Sequence, residues 1–475
     1  MQHDPFSREA ITRLGLDLGK PVLVGFSAGP DSLCLLHLLR SSGYTVVAAH
    51  LDHSLRPASG DEAKKAGELC ASLGIPFHLE KADVAGYAAK NGISIEEAGR
   101  ELRYTFLFAQ AARSNAQAVV TGHHAGDQVE TVLMHFLRGS GLSGLAGIRP
   151  VLLPNPWSDV IPLVRPLLGV TREQIDHYCR QNHLNPVVDE SNADPRYFRN
   201  RIRHELVPYL QTFNPEFTQH LVNMSEVVRE EDDYLVCETR RAWEQVVIEQ
   251  GETYLVLERD RFNSLPIALA RRLMRAAIGA LNRDLRDINF TTIDRALAFA
   301  RSSNHANQEE LQAGLDLLIH MRDQLVLVTH QNLPGALWPQ YAPGTDVVLA
   351  VPGETRINAY WSISSSLCDR EHPTLADPAI GLMDACILDA PLRLGTVKPG
   401  DRFQPLGMEA GTQKLGDFWT NNGLSARARE HWPLVRSGGE IVWVPGFRVA
   451  PSARVKPDTT QVLRLELIRK TKPEP

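Results

Sequence analysis

Six consecutive residues between an apolar run and a helix-like run have the types that bind a phosphate group. They are Ser27, Ala28, Gly29, Pro30, Asp31 and Ser32, which continue the β-branched run Val22–Phe26. Small residues let backbone N–H groups approach an anion, and a helix predicted over Leu33–Leu39 adds the favourable end of its dipole. The turn has no lysine, so it is not a Walker A loop. The alternative interpretation is an ordinary strand–turn–helix with capping residues.

A second group consists of two carboxylates, Asp127 and Glu130. They are three residues apart, so on a helix they share a face and can bind one cation or one ammonium group together. Alternatively, they only favour the first turn of a helix through its dipole. The adjacent His123 and His124 could ligate a metal, but adjacent histidines rarely share a face. We therefore expect these histidines to hydrogen-bond within their turn.

His50 and His53, which are close to each other in sequence, are likewise expected to hydrogen-bond within their turn.

The six cysteines are scattered, without any C-x-x-C pair, which argues against a disulfide scaffold, a zinc site or an iron–sulfur site. The first twenty residues carry acidic side chains among apolar ones, and no long apolar run follows. We predict a soluble, cytoplasmic protein with reduced thiols.

Two segments are rich in basic residues although the net charge of the chain is −6. Arg196, Arg199, Arg201 and Arg203 fall close together, and residues 391–456 hold 10 Lys/Arg against 5 Asp/Glu. Such patches can neutralise phosphates of a nucleic acid even on an acidic protein. The alternative is a solvated surface whose basic side chains pair with carboxylates.

Four strand–helix units in succession must position these groups. The predicted strands are Val22–Phe26, Thr45–Ala49, Pro76–Leu79 and Ala118–Thr121, and the helices are Leu33–Leu39, Ala58–Leu73, Ser94–Ala112 and Val129–Leu137. This alternation predicts a parallel sheet with helices on both faces. Ligands in such sheets bind beyond the carboxyl ends of the strands, where Ser27, His50, Asp52 and Gly122 fall. Capping boxes at Ser94/Glu97 and Thr171/Gln174 predict helix starts.

At 475 residues the chain is long enough for two to four domains, at roughly 150 residues each. We predict an α/β protein: a parallel-sheet nucleotide-binding domain over residues 1–212, a mainly helical domain over 213–335, a connecting segment over 336–390, and a small mixed α+β domain over 391–475. The helical prediction rests on stretches such as Ala268–Leu281.

The phosphate-binding turn resembles the S-G-G-x-D-S loop of PP-loop ATP pyrophosphatases, and the whole chain resembles the tRNA(Ile)-lysidine synthetases. The strings that carry the resemblance are His50–Arg56, Glu97–Tyr104, Gly122–Thr131, Arg138–Gly141, Asp189–Asn192, Arg199–His204, Gly400–Phe403, Gly407–Met408 and Ile441–Gly446. The turn alone indicates only the superfamily. The string around Arg138 and the one that begins at Arg199 are more discriminating.

The resemblance implies a two-step reaction in one pocket. ATP adenylylates the carbonyl oxygen at carbon 2 of the wobble cytidine of tRNA(Ile) with a CAU anticodon, and the lysine side-chain amine then displaces AMP. It implies ATP bound by residues 27–32, Mg²⁺ with Asp31 and Asp127 as metal contacts, and catalytic roles for Asp31, Asp127 and Glu130. Whether the last two bind lysine or position metal stays open. Arg100, Arg199, Arg201 and Arg203 are candidate contacts to tRNA or phosphate.

Three departures from the family pattern favour a second hypothesis, a catalytically impaired tRNA-binding relative. Ala28 and Gly126 stand where the family usually has Gly and Asp, and Gly423 lies where relatives carry a lysine. We expect Ala28 to matter little if its φ is negative, and a lysine at position 423 to add one phosphate contact. Another PP-loop tRNA-modifying enzyme is a third hypothesis, although a thiolase would need paired cysteines. The sequence leaves the oligomeric state open, a homodimer included.

Overall fold

The computed structural model describes residues 5–55, 59–187, 198–282, 288–302, 308–311, 314–369, 377–409 and 411–470. Arg56, the string Asp189–Asn192 and Arg196 lie outside these ranges. The chain divides into two units, Met1–Tyr234 and Leu235–Pro475. Within the described ranges, no helix is both long enough and apolar enough to cross a membrane.

The first unit contains a six-stranded sheet in the order β3-β2-β1-β4-β6-β5. Its strands are β1 (Val22–Gly25), β2 (Val46–Asp52), β3 (Phe77–Lys81), β4 (Val119–Val120), β5 (Val151–Leu152) and β6 (Leu163–Val164). All neighbouring pairs are parallel except β5 with β6 at the edge. The parallel sheet predicted from the sequence is therefore confirmed.

Helices follow most of these strands, as the alternation predicts. They are α1 (Arg8–Thr12), α2 (Pro30–Ser41), α3 (Ser59–Ser72), α4 (Val84–Asn91), α5 (Ile95–Arg113), α6 (Ala125–Leu137), α7 (Leu142–Leu145), α8 (Arg172–Gln181), α9 (Phe198–Arg201), α10 (Val207–Phe213) and α11 (Phe217–Val246), with a π-helical turn at Ile202–Leu206. Thr171 and Gln174 form the predicted reciprocal capping box of α8, whereas at α5 Ser94 accepts from the Glu97 N–H.

Alternate residues of β1 enter different hydrophobic cores, one on each face of the sheet. Val22 and Val24 pack with Leu33 of α2, while Leu23 packs with Leu107 of α5. The strand order also has a topological switch, because β1 lies between β2 and β4. A crevice at the carboxyl ends of the strands forms at such a switch, and it is the usual ligand site of open α/β sheets.

The second unit begins with an antiparallel sheet in the order β7-β8-β11-β10-β9. Its strands are β7 (Val247–Gln250), β8 (Tyr254–Glu258), β9 (Gln308–Leu311), β10 (Leu315–His320) and β11 (Gln324–Thr329), with the helices α12 (Arg259–Ser264), α13 (Ile267–Leu281) and α14 (Phe290–Arg301). The predicted helices are present, together with a sheet that we did not predict. Every residue of β10 is buried, and a short continuous apolar run cannot be distinguished by periodicity from a buried helix.

Two four-stranded sheets follow in the second unit, in the orders β12-β16-β19-β20 and β13-β14-β21-β15. Their strands are β12 (Asp346–Val348), β13 (Gly353–Arg356), β14 (Trp361–Asp369), β15 (Ile380–Asp384), β16 (Arg393–Gly395), β19 (Leu434–Ser437), β20 (Glu440–Trp443) and β21 (Gln461–Arg469). A small hairpin of β17 (Arg402–Phe403) and β18 (Gln413–Lys414) precedes α15 (Leu415–Asn421) and α16 (Ala426–Arg429). Strands from residues 346–384 therefore pair with strands from residues 391–475. Deleting residues 391–475 would therefore remove strands from both sheets. Single substitutions are a better way to test the function of this region.

Candidate active site

The phosphate-binding turn connects β1 to α2, at the carboxyl end of the central strand. Gly29 is the N-cap of α2, and Pro30 occupies its first turn. The Ser27 N–H donates to the Ser32 Oγ at 3.2 Å, and the Ser32 hydroxyl donates to the Gly29 carbonyl oxygen at 3.1 Å. These two bonds connect the start of the loop to the first turn of α2. The free N–H groups and the dipole at this helix end suit a phosphate.

Ala28 adopts a left-handed conformation with φ of 60°, and its side chain is almost fully buried. Its carbonyl oxygen accepts a hydrogen bond from the Val187 N–H at 2.9 Å. The condition under which the alanine would matter little, a negative φ, is not met. A glycine would adopt this backbone without the steric cost that an alanine bears.

We expect Ala28→Gly to change the free energy of unfolding by no more than about 1 kcal/mol. Relief of the left-handed conformation gains roughly 1–2 kcal/mol, whereas added chain entropy costs about 0.4–1 kcal/mol and loss of the buried methyl costs about 0.8 kcal/mol. Urea unfolding measures the difference. Ala111→Gly is the matched control, since Ala111 is fully buried within α5 and should lose about 2 kcal/mol. An equal loss at both positions would contradict the proposed balance at Ala28.

Asp31 lies in the first turn of α2, and its carboxylate binds Arg172 of α8 at 2.8 Å. Burial raises the pKa of Asp31, although His124 and Arg172 oppose that shift. The close approach of β4 to α2 depends on Gly122, because a Cβ there would lie 3.0 Å from the Asp31 carbonyl carbon and oxygen. Asp31 therefore lies at the carboxyl ends of β1 and β4, and its contact with a ligand stays a prediction.

The predicted pair Asp127 and Glu130 lies on one face of α6, and both carboxylates contact Arg199. The Arg199 Nη2 lies 2.7 Å from Asp127 Oδ1, and its Nε lies 2.5 Å from Glu130 Oε2. Arg203 donates from Nε to the other oxygen of Glu130. Glu130 is only 2 % exposed, so these guanidinium groups compensate a buried charge. The predicted carboxylates and the predicted arginines therefore form one network. Within it, Arg199 and Arg203 already have carboxylate partners.

Asp127 also caps its helix, as the alternative interpretation proposes. Its Oδ2 accepts from the His124 N–H at 2.9 Å, and the His124 Nδ1 accepts from the Gly126 N–H. Burial would raise the pKa of Asp127, but His124, His123 and Arg199 outweigh it and hold that pKa below its ordinary value. A Cβ at Gly126 would lie 2.7 Å from His124 Cε1. An aspartate at position 126 therefore requires a different position for this imidazole.

The other predicted histidines differ. His123 hydrogen-bonds within its own turn, whereas the expectation of a bond within the turn is wrong for His50, whose partner lies 24 residues away beside β1. The His50 Nδ1 lies 2.7 Å from the Phe26 carbonyl oxygen, and the His123 Nδ1 lies 2.9 Å from Thr121 Oγ1. Burial lowers the pKa of His123 to about 3 and that of His53 to about 4. In the part of the chain that the structure describes, no three His, Cys, Asp or Glu side chains are grouped to hold a metal ion.

Two adjoining cavities lie at this edge of the sheet. The smaller, of about 420 Å³, is lined by the ends of β1, β2 and β4, and the larger, of about 1030 Å³, is lined by α6, α8, α10 and the start of α11. Asp31 and Arg103 line both cavities, whereas Asp127, Glu130 and Arg203 line the larger one.

Not every predicted contact residue reaches these cavities. Arg100 is exposed and lies over the Tyr104 ring, 4.8 Å from its centroid. Arg201 is exposed and lies 3.7 Å from Glu205. The sequence analysis missed Arg103 and Arg172, which line the cavities. Arg103 lies three residues after Arg100 on the same helix, so the helical period of the string Glu97–Tyr104 could have indicated it.

In the second unit, a separate cavity of about 860 Å³ has three basic and three acidic side chains in its wall, namely Lys398, Arg402, Lys414, Asp401, Asp417 and Glu430. Of the ten basic residues in 391–456, four pair with carboxylates in the described part of the chain, namely Arg393, Lys398, Arg427 and Arg436.

The structure contradicts the expectation that a lysine at position 423 would simply add a phosphate contact. Gly423 has φ of 76°, and a Cβ there would lie 2.6 Å from Arg322 Cγ and 2.9 Å from its backbone nitrogen.

A strand–loop–helix turn without a lysine, at the switch point of a parallel sheet, is typical of the PP-loop class of nucleotide-binding proteins. Residues 8–210 match the PP-loop domain family, and residues 392–467 match the TilS substrate C-terminal domain family. The tRNA(Ile)-lysidine synthase of Dehalococcoides mccartyi is 32% identical over 94% of this chain and 95% of its own length. That of Symbiobacterium thermophilum is 34% identical over 98% and 97%. The chain belongs to the tRNA(Ile)-lysidine synthase family of enzymes, with an ATP-utilising PP-loop domain.

Proposed function

We propose that this enzyme joins lysine to carbon 2 of the wobble cytidine of tRNA(Ile) with a CAU anticodon, through an adenylylated tRNA. The observation that carries the proposal is that the phosphate loop and the carboxylates of α6 border one cavity, with Asp31, Asp127 and Glu130 in its wall. One reaction step needs an anion site and the other needs a site for an amine. This cavity offers both.

ATP would bind with its base in the smaller cavity and its phosphates at the loop of residues 27–32. That cavity has apolar walls from Phe26, Leu51 and Leu107, which suit a purine ring. The N–H groups at the start of α2 and the nearby Arg172 and Arg103 would stabilise the negative charge that develops on the phosphates. The cytidine carbonyl oxygen attacks the α-phosphorus, and pyrophosphate leaves.

Asp31 and Asp127 would hold Mg²⁺. Their charges influence each other, since Asp127 contributes to the raised pKa of Asp31. Mg²⁺ typically binds one or two carboxylates together with substrate phosphates and water, so this donor set fits without a cage of protein ligands. When bound, the ion would neutralise charge on the transferring phosphoryl group.

In the second step, Glu130 would bind the lysine ammonium group and accept its proton, while Asp127 stays on the metal. The neutral amine then attacks carbon 2 and AMP leaves. The ammonium must share Glu130 with Arg199 and Arg203, which both contact this carboxylate. We propose that the two guanidinium groups move to phosphates of ATP or tRNA, which match their geometry, and so make the carboxylates available. The reaction would take place in the cytoplasm with free lysine.

Nucleoside mass spectrometry tests this proposal. The protein is incubated with ATP, Mg²⁺, lysine and tRNA(Ile) of CAU anticodon, and the same tRNA with uridine at the wobble position is the control. We expect lysidine and AMP only with cytidine, and pyrophosphate release with adenylylated tRNA when lysine is omitted. Binding of tRNA without any product would support the impaired relative instead, and a thiolated base would overturn the assignment.

We further propose that Arg402 and Lys414, in the wall of the cavity of the second unit, bind tRNA phosphates. Arg402→Gln and Lys414→Gln should each weaken tRNA binding and lower the slope of log Kd against log salt by about one. Filter binding across a range of salt concentrations measures this slope. Arg393→Gln is the control, because Asp346 neutralises Arg393 at 2.7 Å. If the control lowers the slope as much as the two variants do, this cavity is not the phosphate site.

A further inference from the structure

His124, the N-cap of α6, uses only one of its two ring nitrogens to hold that helix. Its Nδ1 accepts a hydrogen bond from the Gly126 N–H at 3.0 Å. A ring nitrogen that accepts carries no proton, so the proton of this imidazole lies on Nε2. The contact with the backbone therefore leaves His124 with one N–H group to donate.

The Nε2 donor has no hydrogen-bond acceptor among the residues that the structure describes. Asp127 Oδ2 lies 3.7 Å from it, which is too far for a hydrogen bond. His124 is only 8% exposed, so this polar group is largely withdrawn from water. A buried donor without an acceptor is unfavourable, and a ligand oxygen that accepts from Nε2 would remove that cost.

His124 lies in the wall of the larger cavity, together with Gly29 and Asp31 of the phosphate-binding turn. The two segments are adjacent, since a Cβ at Gly122, two residues before His124, would lie 3.0 Å from the Asp31 carbonyl carbon and oxygen. The helices α2 and α6 therefore begin close together, beyond the ends of the paired strands β1 and β4. The dipoles of both helices favour an anion near the Nε2 donor.

Gly126 leaves the space that this imidazole occupies. A Cβ at position 126 would lie 2.7 Å from His124 Cε1 and 3.1 Å from its Nδ1. Any larger residue at this position would displace the ring, and the Nε2 donor with it. Glycine is a poor helix former, so the contact with the imidazole gives a reason for its presence in the first turn of α6.

We propose that His124 donates a hydrogen bond from Nε2 to a phosphate oxygen of ATP while the adenylyl group is transferred. This role rests on the proposed function. A donor that is already positioned by the protein stabilises negative charge on the phosphates without a cost of reorganisation. The proton stays on Nε2 throughout, so the step needs no change in the protonation of His124.

Two substitutions of His124 separate the roles of its two nitrogens. Asparagine places an amide oxygen near the position of Nδ1 and is a good N-cap residue, so His124→Asn keeps the cap and loses the Nε2 donor. It should lower tRNA-dependent ATP–pyrophosphate exchange by at least about tenfold, with an unchanged melting temperature. Glutamine reaches the position of Nε2 instead. His124→Gln should therefore exchange faster than His124→Asn although it melts at a lower temperature.

Gly126→Ala tests the same donor from the other side of the contact. It should slow exchange as His124→Asn does, and the variant with both substitutions should be no slower than either single variant, because each removes the same interaction. His177→Asn is the matched control, since His177 is exposed on α8 and lines neither cavity. Its exchange should equal that of the parent protein. Calorimetry with a non-hydrolysable ATP analogue and no tRNA is the second measurement, and binding should weaken in His124→Asn alone of the two asparagine variants.

Unchanged exchange and analogue binding by a folded His124→Asn variant would overturn this role of His124. An equal loss in His177→Asn, or additive losses in the variant with both substitutions, would contradict it as well. Weaker binding of an anticodon stem–loop with unchanged binding of the ATP analogue would assign the donor to an RNA phosphate and reject the contact with ATP. If the parent protein makes no lysidine, the proposed function fails, and calorimetry still tests the contact with ATP.

Discussion

Asp31→Asn should lower tRNA-dependent ATP–pyrophosphate exchange by at least about 100-fold, in the range seen when a charge-stabilising group is removed from an active site. The amide keeps the shape of the side chain but loses the charge proposed to hold Mg²⁺ at the phosphates. Thermal stability should change little. The ion pair with Arg172 is partly exposed, at 32% for Asp31 and 44% for Arg172, and such pairs contribute about 0–1 kcal/mol.

Asp176→Asn provides the matched control for Asp31. Asp176 binds the same arginine at 3.1 Å with similar exposure, but it does not line either cavity. Exchange by this variant should stay near that of the parent. If Asp176→Asn lost exchange to the same degree, the role of Asp31 would reduce to orienting Arg172. If Asp31→Asn lost its fold together with its exchange activity, the residue would be structural.

Glu130→Gln should raise the KM for lysine by at least about tenfold, while pyrophosphate exchange in the absence of lysine falls less. A glutamine keeps the shape but loses the charge that attracts an ammonium group. The free energy of unfolding should fall by about 1–3 kcal/mol, because two guanidinium groups lose a charged partner. This loss stays moderate because Arg199 and Arg203 are about one-third exposed and can be hydrated.

Glu205→Gln is the control for Glu130, since Glu205 pairs with Arg201 in the same helical region but is exposed. It should leave the KM for lysine and the stability unchanged. Equal losses in exchange and in lysine use by Glu130→Gln would indicate that Glu130 positions the metal or the tRNA rather than the amine. Steady-state rates with varied lysine distinguish these cases.

The sequence predicts the parts of the site that follow from local pattern. The apolar run before Ser27 and the helix-like run after Ser32 identify the loop between β1 and α2, and three-residue spacing places Asp127 and Glu130 on one helical face. The predicted parallel sheet also brings Ser27 and Gly122 to one edge, because parallel strands end at the same edge, whereas the pairing of β1 with β4 is not given by the alternation.

Contacts between distant segments could not be predicted in this way. Arg172 binds Asp31 across 141 residues of sequence, and the arginines that begin at Arg199 bind carboxylates instead of remaining free for phosphate. Such pairs depend on how helices pack, which periodicity does not encode. The five-stranded sheet of the second unit was not predicted, because its strands β10 and β11 are buried on both faces. The alternation of apolar and polar residues that identifies a strand is therefore absent.

The hydrogen bond from the Val187 N–H to the Ala28 carbonyl oxygen makes one backbone amide a reporter of the phosphate loop. Val187 is far from the loop in sequence. Because its N–H donates to the Ala28 carbonyl oxygen, deuterium uptake at this amide depends on whether the carbonyl keeps its orientation. A nucleotide that stabilises the observed loop would slow the exchange of the Val187 amide, and one that rotates the peptide would speed it. Amide exchange at a residue outside the loop can therefore follow occupancy without a label on ATP or on tRNA.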